Sequence, residues 1–244
     1  MSTKNRIRLF SYQKLEQGMV YVPNEAQNHY LKNVMRLKSG NEVYLFDGLS
    51  GEFRSIVCET GKKNLSLSVE EKIADFEKSP DIWLLFAPLK KENTDIVLQK
   101  SVELGVSKII PVQTEYALKK VFKKERAAIQ IIEAAEQCRR LDVPLLGDLT
   151  DFDMLIRNWP QNRKLIYLNE TGEGKSFINA ASDLKVPVAL FVGPEGGFSK
   201  KELEILKNMP YTESVTMGKR ILRAETACVA ALACWQAFCG DWRN

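Results

Sequence analysis

Apolar and polar positions alternate in short bursts over the first 70 residues or so, and then the period changes. Residues 6–10, 19–22, 42–46, 52–58 and 65–70 are rich in β-branched, aromatic and other apolar side chains between turn signals, and each is predicted to form a short strand. Asp47-Gly48, Ser50-Gly51 and Gly61 punctuate them. One short helix, opened by Pro23-Asn24 and running to about Val34, interrupts the series. Several strands in so small a span predict a small β-barrel. Residues 71–80 are polar, end in Ser79-Pro80, and read as a linker.

Beyond the linker, strands predicted at 82–86, 108–112, 164–168, 188–192 and 214–217 alternate with helices near 93–104, 123–138, 152–159, 176–184, 199–207 and 224–239. Ser199-x-x-Glu202 is a capping box, in which each side chain satisfies an orphan backbone donor of the helix start. Such alternation implies a mostly parallel sheet covered by helices on both faces. Two domains are therefore expected, a barrel over 1–72 and an α/β domain over 73–244. The terminal helix is apolar almost all round and rich in Ala and Cys, which predicts burial and close packing.

Composition narrows the choices. With 45% hydrophobic and 27% charged residues, the 244-residue chain is ordinary globular protein, long enough to bury a real core. The net charge of +4 is too small to name a partner, but its distribution is uneven. Residues 1–38 hold seven basic side chains (Lys4, Arg6, Arg8, Lys14, Lys32, Arg36, Lys38) against Glu16 and Glu25, whereas residues 73–244 balance at 24 to 23. A basic end on a neutral body assigns binding of an anionic polymer to the N-terminus. The lone His29 excludes a two-histidine metal site, and no metal is expected. Five cysteines without Cys-x-x-Cys disfavour zinc ribbons and disulfide scaffolds. No apolar leader is visible, and the longest apolar run, residues 227–238, is far short of the roughly 20 that span a bilayer. A soluble, cytoplasmic protein with no membrane partner is expected.

In an open α/β sheet, ligands bind beyond the carboxyl ends of the strands. Three loops there share an unusual composition: Asn169-Glu170-Thr171-Gly172-Glu173-Gly174, Gly193-Pro194-Glu195-Gly196-Gly197, and Gly218 through Arg223-Ala224-Glu225. Glycine lets backbone approach a ligand closely. Gly174-Lys175-Ser176 looks like the end of a P-loop, but Asn169 stands where its first glycine is required, which disfavours a nucleotide hydrolase. No Gly-x-Gly-x-x-Gly occurs either. Glu170, Glu195 and Glu225 would repel a triphosphate and tolerate a cation, so a positively charged, nucleoside-bearing cofactor is favoured over ATP.

The segments Gly193-Pro194-Glu195-Gly196-Gly197-Phe198-Ser199 and Met217-Gly218-Lys219-Arg220-Ile221-Leu222-Arg223-Ala224-Glu225-Thr226-Ala227 resemble the C-terminal signature of the RsmE-type 16S rRNA uridine-N3 methyltransferases of the SPOUT superfamily. The likeness extends through Arg6-x-Arg8-Leu9-Phe10, His29-Tyr30-Leu31, Val34-Met35-Arg36, Gln99-Lys100, Glu103-Leu104-Gly105-Val106 and Glu133-Ala134-Ala135-Glu136-Gln137-Cys138. Asn28, Met35 and Ala224 depart from it, standing where that family often has His, Leu and Thr.

The resemblance implies an N-terminal PUA-like barrel and a SPOUT α/β domain with a C-terminal deep trefoil knot. It implies a homodimer that uses S-adenosyl-L-methionine to methylate N3 of uridine 1498 in 16S rRNA of the small ribosomal subunit. Carried over position by position, Leu168, Asn169, Glu170, Gly193, Pro194, Glu195, Gly196, Gly197, Met217, Gly218, Ile221 and Leu222 would cradle the cofactor. Arg220, Arg223 and Glu225 would act on the uridine, with Glu225 the leading group to bind or deprotonate it. Arg6, Arg8, His29, Arg36, Lys90, Lys91 and Lys100 would contact the RNA. Plainer readings stand beside these: Glu225 as a first-turn carboxylate favouring the helix dipole, the arginines as ion-pair partners, and the basic residues as solvated surface. A non-catalytic RNA-binding or ribosome-assembly protein of the same fold is the alternative.

Overall fold

The computed structural model describes residues 6–58, 64–119, 122–181 and 187–243. Lys4, the turn expected at Gly61 and the end of the helix expected to reach residue 184 lie outside the described residues. The chain divides into two compact units, Met1–Lys78 with Ala135–Val143, and Ser79–Ala134 with Pro144–Asn244.

The first unit is built on β1 (Arg8–Phe10), β2 (Val20–Tyr21), α1 (Glu25–His29), a π-turn (Tyr30–Val34), β3 (Glu42–Phe46), β4 (Glu52–Cys58) and β5 (Ser66–Ala74). Its sheet runs β1-β3-β4-β5-β2, with β1 parallel to β3 and the other pairs antiparallel. Leu9, Leu15, Tyr21, Leu31, Val43, Leu45, Phe53, Val57, Leu67 and Val69 fill the core. Those on strands are inward positions of the period-2 pattern, joined by Leu15 from a loop and Leu31 from the π-turn, and full burial of such side chains stabilises by roughly 1.5–3 kcal/mol apiece. Asn24 caps α1 through a capping box with Gln27. The expected linker is shorter than its polar sequence suggests. Glu71–Ala74 continue β5 and pair with Glu52–Arg54 across two register shifts, so both faces of the strand end reach water there.

One basic residue of this unit is turned inward. The guanidinium of Arg8, its side chain only 2% exposed, is ion-paired with Glu52. It donates to the carbonyls of Ala135 and Glu136 at 2.9 Å and of Arg140 at 3.1 Å, and lies 4.4 Å from the centroid of the Phe46 ring. The last carbonyls of a helix have no donors of their own. Arg8 supplies them to the end of α3 (Lys124–Cys138), and Glu136 in return accepts from the backbone N–H of Phe10. The expected RNA contact at Arg8 is thereby replaced by a structural role.

The second unit holds β6 (Ile82–Phe86), α2 (Lys91–Glu103), β7 (Lys108–Gln113), most of α3, β8 (Leu145–Leu146), β9 (Thr150–Asp151), α4 (Phe152–Arg157), β10 (Lys164–Leu168), β11 (Lys175–Ser176), α5 (Phe177–Ala181), β12 (Val188–Val192), α6 (Lys200–Asn208), β13 (Thr212–Thr216) and α7 (Ala224–Phe238). All its strand pairs are parallel, in the order β11-β13-β10-β12-β6-β7-β8, with β9 beside β7. Central strands such as β12 are apolar at every position because both faces are covered. Leu85, Val112, Leu165, Tyr167, Ala189, Phe191 and Leu206 form part of the core. As its composition implied, α7 is packed, lying against α2, α5 and β12.

Candidate functional site

Strands β10, β12 and β13 end side by side, and the loops that leave them enclose one cavity of about 880 Å³ within the second unit. Its wall takes Leu168–Gly172 from the first loop, Val192–Glu195 and Gly197–Phe198 from the second, and Val215–Ala224 from the third. Lys90 and Asn93, at the start of α2, complete the rim. A volume of this order suits a cofactor-sized molecule, and the position beyond the carboxyl ends of parallel strands is where such sheets bind ligands.

Each loop is held by its own sequence. In the first, the amide nitrogen of Asn169 donates to the Glu173 carbonyl at 3.2 Å and to Ser214 Oγ at 3.3 Å, while Asn169 Oδ1 accepts from the Thr171 N–H at 3.1 Å. Below it, Glu213 bridges Lys164 at 3.1 Å and Lys175 at 2.8 Å. Burial alone would raise the Glu213 carboxyl, but the two lysines outweigh it and hold the group below the usual range. In the second loop the Gly197 N–H donates to the Pro194 carbonyl at 2.9 Å, closing a turn that places Gly197 at φ +68°. That left-handed backbone favours glycine. In the third, Gly218 sits at φ +101°, and a Cβ built there would meet no atom within 4 Å. The missing side chain leaves room at the wall, a cradle a Cβ would fill.

Most of the residues expected at a cofactor are brought together here. Leu168, Asn169, Glu170, Gly193, Pro194, Glu195, Gly197, Met217, Gly218, Ile221 and Leu222 all line the cavity, and Arg220 and Arg223 line it too, both side chains exposed. Gly196 is a correction. It is absent from the wall and faces the other way, where a built Cβ would stand 3.5 Å from Tyr116 Cβ. Glu225 is another. It is 9% exposed, and its neighbours Ala224 and Ala227 line the wall in its place. Its Oε2 is buried without a hydrogen-bond partner among the described residues.

The basic residues divide. Lys90 lines the cavity, while Lys91 lines a separate cavity of about 340 Å³ with Asp95 and Arg126. Lys100 is ion-paired with Glu103 at 2.8 Å on α2. In the first unit Arg6 is exposed over the Tyr44 ring at 4.8 Å, His29 is exposed in the last turn of α1, and Arg36 is exposed at φ +52° just after the π-turn. Thr171 and Lys219, which belong to the loops singled out in the sequence, also line the cavity, as does Asn93, which sequence reasoning did not single out. It also missed a second duty of Glu202. Besides capping α6, where its Oε2 accepts from the Ser199 N–H at 2.8 Å, its Oε1 accepts from the Glu115 N–H at 2.9 Å. No spacing rule announces that contact, because Glu115 lies 87 residues away. Among the described residues, no group of three or more His, Cys, Asp and Glu is placed to hold a metal ion, and no helix is long and apolar enough to cross a membrane.

A parallel α/β unit with a glycine-lined cavity at its strand ends, joined to a small β unit, defines the class of protein. Comparison with known proteins gives the family. Residues 77–236 match the model of the RNA methyltransferase domain, and residues 23–70 match that of the RNA methyltransferase PUA domain. Ribosomal RNA small subunit methyltransferase E of Rickettsia conorii is 34% identical over 232 residues, 94% of this chain and 93% of that protein. A Legionella pneumophila methyltransferase solved with bound S-adenosylmethionine is 30% identical and superposes with a TM-score of 0.88 over 98% of this chain and all of that one. Ribosomal RNA small subunit methyltransferase E of Neisseria gonorrhoeae, bound to S-adenosyl methionine, is 28% identical with a TM-score of 0.86 over the same shares. The chain belongs to the RNA methyltransferase family that includes ribosomal RNA small subunit methyltransferase E.

Proposed function

We propose that the protein is an S-adenosyl-L-methionine-dependent methyltransferase that modifies N3 of uridine 1498 in 16S rRNA of the small ribosomal subunit. The observation that carries the reading is the cavity formed where β10, β12 and β13 end, walled by the loops that match the family's motifs. The donor set fits the cofactor. Glu170 and Glu195 are acceptors for an amino group or ribose hydroxyls, the apolar Leu168, Met217 and Leu222 suit a purine ring, and Gly218 leaves open space at the wall.

When bound, the cofactor supplies a methyl carbon on a cationic sulfur, open to displacement. The protein's part is to hold the uridine in line with that carbon, which is where orientation lowers the barrier by several kcal/mol. Uracil N3 carries a proton and is a poor nucleophile until that proton passes to solvent water. Arg220 and Arg223, two exposed cations on the wall, stabilise the negative charge that then spreads onto O2 and O4. Lys90 and Lys219, on the same wall, hold the flanking phosphates. Arg6, His29 and Arg36 in the first unit are assigned to more distant RNA contact, and Lys91 and Lys100 extend the positive surface of the second.

We further infer a cytoplasmic homodimer, favoured by large apolar side chains left exposed in the second unit, among them Ile221 at 79% and Trp242. A C-terminal trefoil knot is inferred from the family resemblance alone. The test is calorimetry with S-adenosylmethionine, S-adenosylhomocysteine and ATP, joined to transfer of a labelled methyl group to unmethylated small subunits. Binding of the first two and transfer to RNA is expected; tight binding of ATP alone would refute the reading.

A further inference from the structure

Tyr116 is a large aromatic side chain left 54% exposed, yet it is held firmly. The turn that carries it has both ends inside: Thr114 and Ala117 are buried, and the Ala117 N–H donates to the Thr114 carbonyl at 3.2 Å. The Gln113 amide nitrogen braces both ends, donating to the carbonyls of Thr114 at 3.2 Å and Ala117 at 3.4 Å. The tip is pinned by Glu202, whose Oε1 accepts from the Glu115 N–H. Beneath the ring lies Gly196, with Tyr116 Cβ, Cγ and Cδ2 only 3.5, 3.9 and 3.8 Å from where a side chain would begin. Glu195 and Gly197, on either side of that glycine, line the cavity. A single carboxylate, Glu202, thus ties the aromatic turn to the helix that follows the glycine loop.

We propose that Tyr116 is a substrate-contacting residue, a platform on which an RNA base stacks beside the glycine loop that walls the cavity, with Glu202 as its positioning residue. The proposal rests on the reading of the cavity as the seat of RNA methyl transfer. An unstacked base presents a flat apolar face, and proteins that read single-stranded RNA meet it with an aromatic ring. The ring must be fixed beforehand, or its ordering would offset the gain from stacking. The Thr114–Ala117 turn meets that condition. The cavity, whose wall includes Glu195 and Gly197, carries Lys90, Lys219, Arg220 and Arg223, which suit the phosphates of the same strand. This charge favours an RNA occupant over a second copy of the chain.

The test uses the full-length enzyme, labelled S-adenosylmethionine and unmethylated small subunits. Stacking of one base on an aromatic ring is worth about tenfold or more in affinity. Tyr116→Ala should therefore raise KM for the subunit about tenfold, while leaving the Kd for S-adenosylmethionine and the molecular mass in solution unchanged. Tyr116→Phe should restore KM to within about twofold, because the ring and not the hydroxyl is used. Glu202→Gln keeps one acceptor oxygen where two are needed, and should raise KM in the same direction without lowering kcat to the same extent. Since Tyr116 is exposed, its variants stay informative even where Glu202→Gln fails to fold. An unchanged KM for Tyr116→Ala, a Phe variant as poor as Ala, an equal loss of cofactor affinity, or dissociation of subunits would each overturn the proposal. A wild-type protein that neither binds S-adenosylmethionine nor transfers a methyl group would instead refute the underlying reading, and is recognised before any variant is made.

Discussion

The carboxylate of Glu170 rests on the α-carbon of Gly197. A Cβ built on Gly197 would overlap it, with the carboxyl carbon only 2.6 Å away. Two loops that are separate in sequence are thus packed together at the cavity wall by the absence of one side chain. Gly197 also sits at φ +68°, so the backbone favours glycine there, while the Glu170 side chain would have to move aside for a Cβ. Gly197→Ala should weaken S-adenosylmethionine binding tenfold or more in calorimetry. Adding Glu170→Ala relieves the overlap but not the backbone strain and removes an acceptor for the cofactor, so the double variant should bind no better than Gly197→Ala.

Gly196 should behave differently despite adjoining Gly197. Its φ is ordinary, and an added Cβ would make normal contact with Tyr116 at 3.5 Å. Gly196→Ala is expected to keep cofactor affinity within about threefold. A loss as large as that of Gly197→Ala would mean that the wall of the cavity is drawn wrongly at this loop.

Arg8 and Arg6 are two residues apart and should separate stability from RNA binding. Removing Arg8 leaves Glu52 buried without its cation and three carbonyls without donors. Breaking a buried pair in this way costs about 3 kcal/mol or more. Arg8→Ala should lower the denaturation midpoint clearly and leave the salt dependence of RNA binding by the folded protein unaltered. Arg6→Ala should do the reverse, reducing the slope of log K against log salt by about one while the midpoint stays nearly fixed.

Asp47 gives the first unit an acid-sensitive anchor. Burial pushes its carboxyl up, but N–H donors from Ser50 at 2.6 Å, Leu15 at 2.8 Å and Leu49 at 2.9 Å outweigh this and hold it below its ordinary value of 3.8. A carboxylate lowered on folding stabilises the folded state above the unfolded value, and that stabilisation fades as pH falls through the lower folded value. Asp47→Asn should therefore cost about 2 kcal/mol at pH 7 by chemical denaturation. The gap to wild type should hold down to about pH 5 and narrow below pH 4. A gap that widens on acidification would reverse the assigned sign.

Much of the fold is legible in the sequence wherever one physical rule dominates. The strands β6, β10 and β12 are continuous apolar runs because both faces of a parallel sheet are covered, and their limits coincide with the expected ones. The two-residue strands β8, β9 and β11 escaped because pairs such as Lys175-Ser176 carry no periodicity. The end of β5 escaped because its polar residues face water on a bent sheet edge and read as linker. At the site, glycine and carboxylate in three loops pointed to the cavity. What the sequence could not show is direction. Gly196 faces Tyr116, Glu225 is buried, and Arg8 is turned in by carbonyls 127 to 132 residues away.

The most direct measurement is to map the product. Small subunits lacking the modification are incubated with the protein and labelled S-adenosylmethionine, and the methylated nucleoside is isolated from the 16S rRNA and identified by mass spectrometry. A single 3-methyluridine at position 1498 is expected, absent when Arg220→Ala and Arg223→Ala are combined. Label on a base carbon, on ribose or on another nucleotide, or no transfer at all, would contradict the assignment of this cavity to uridine N3.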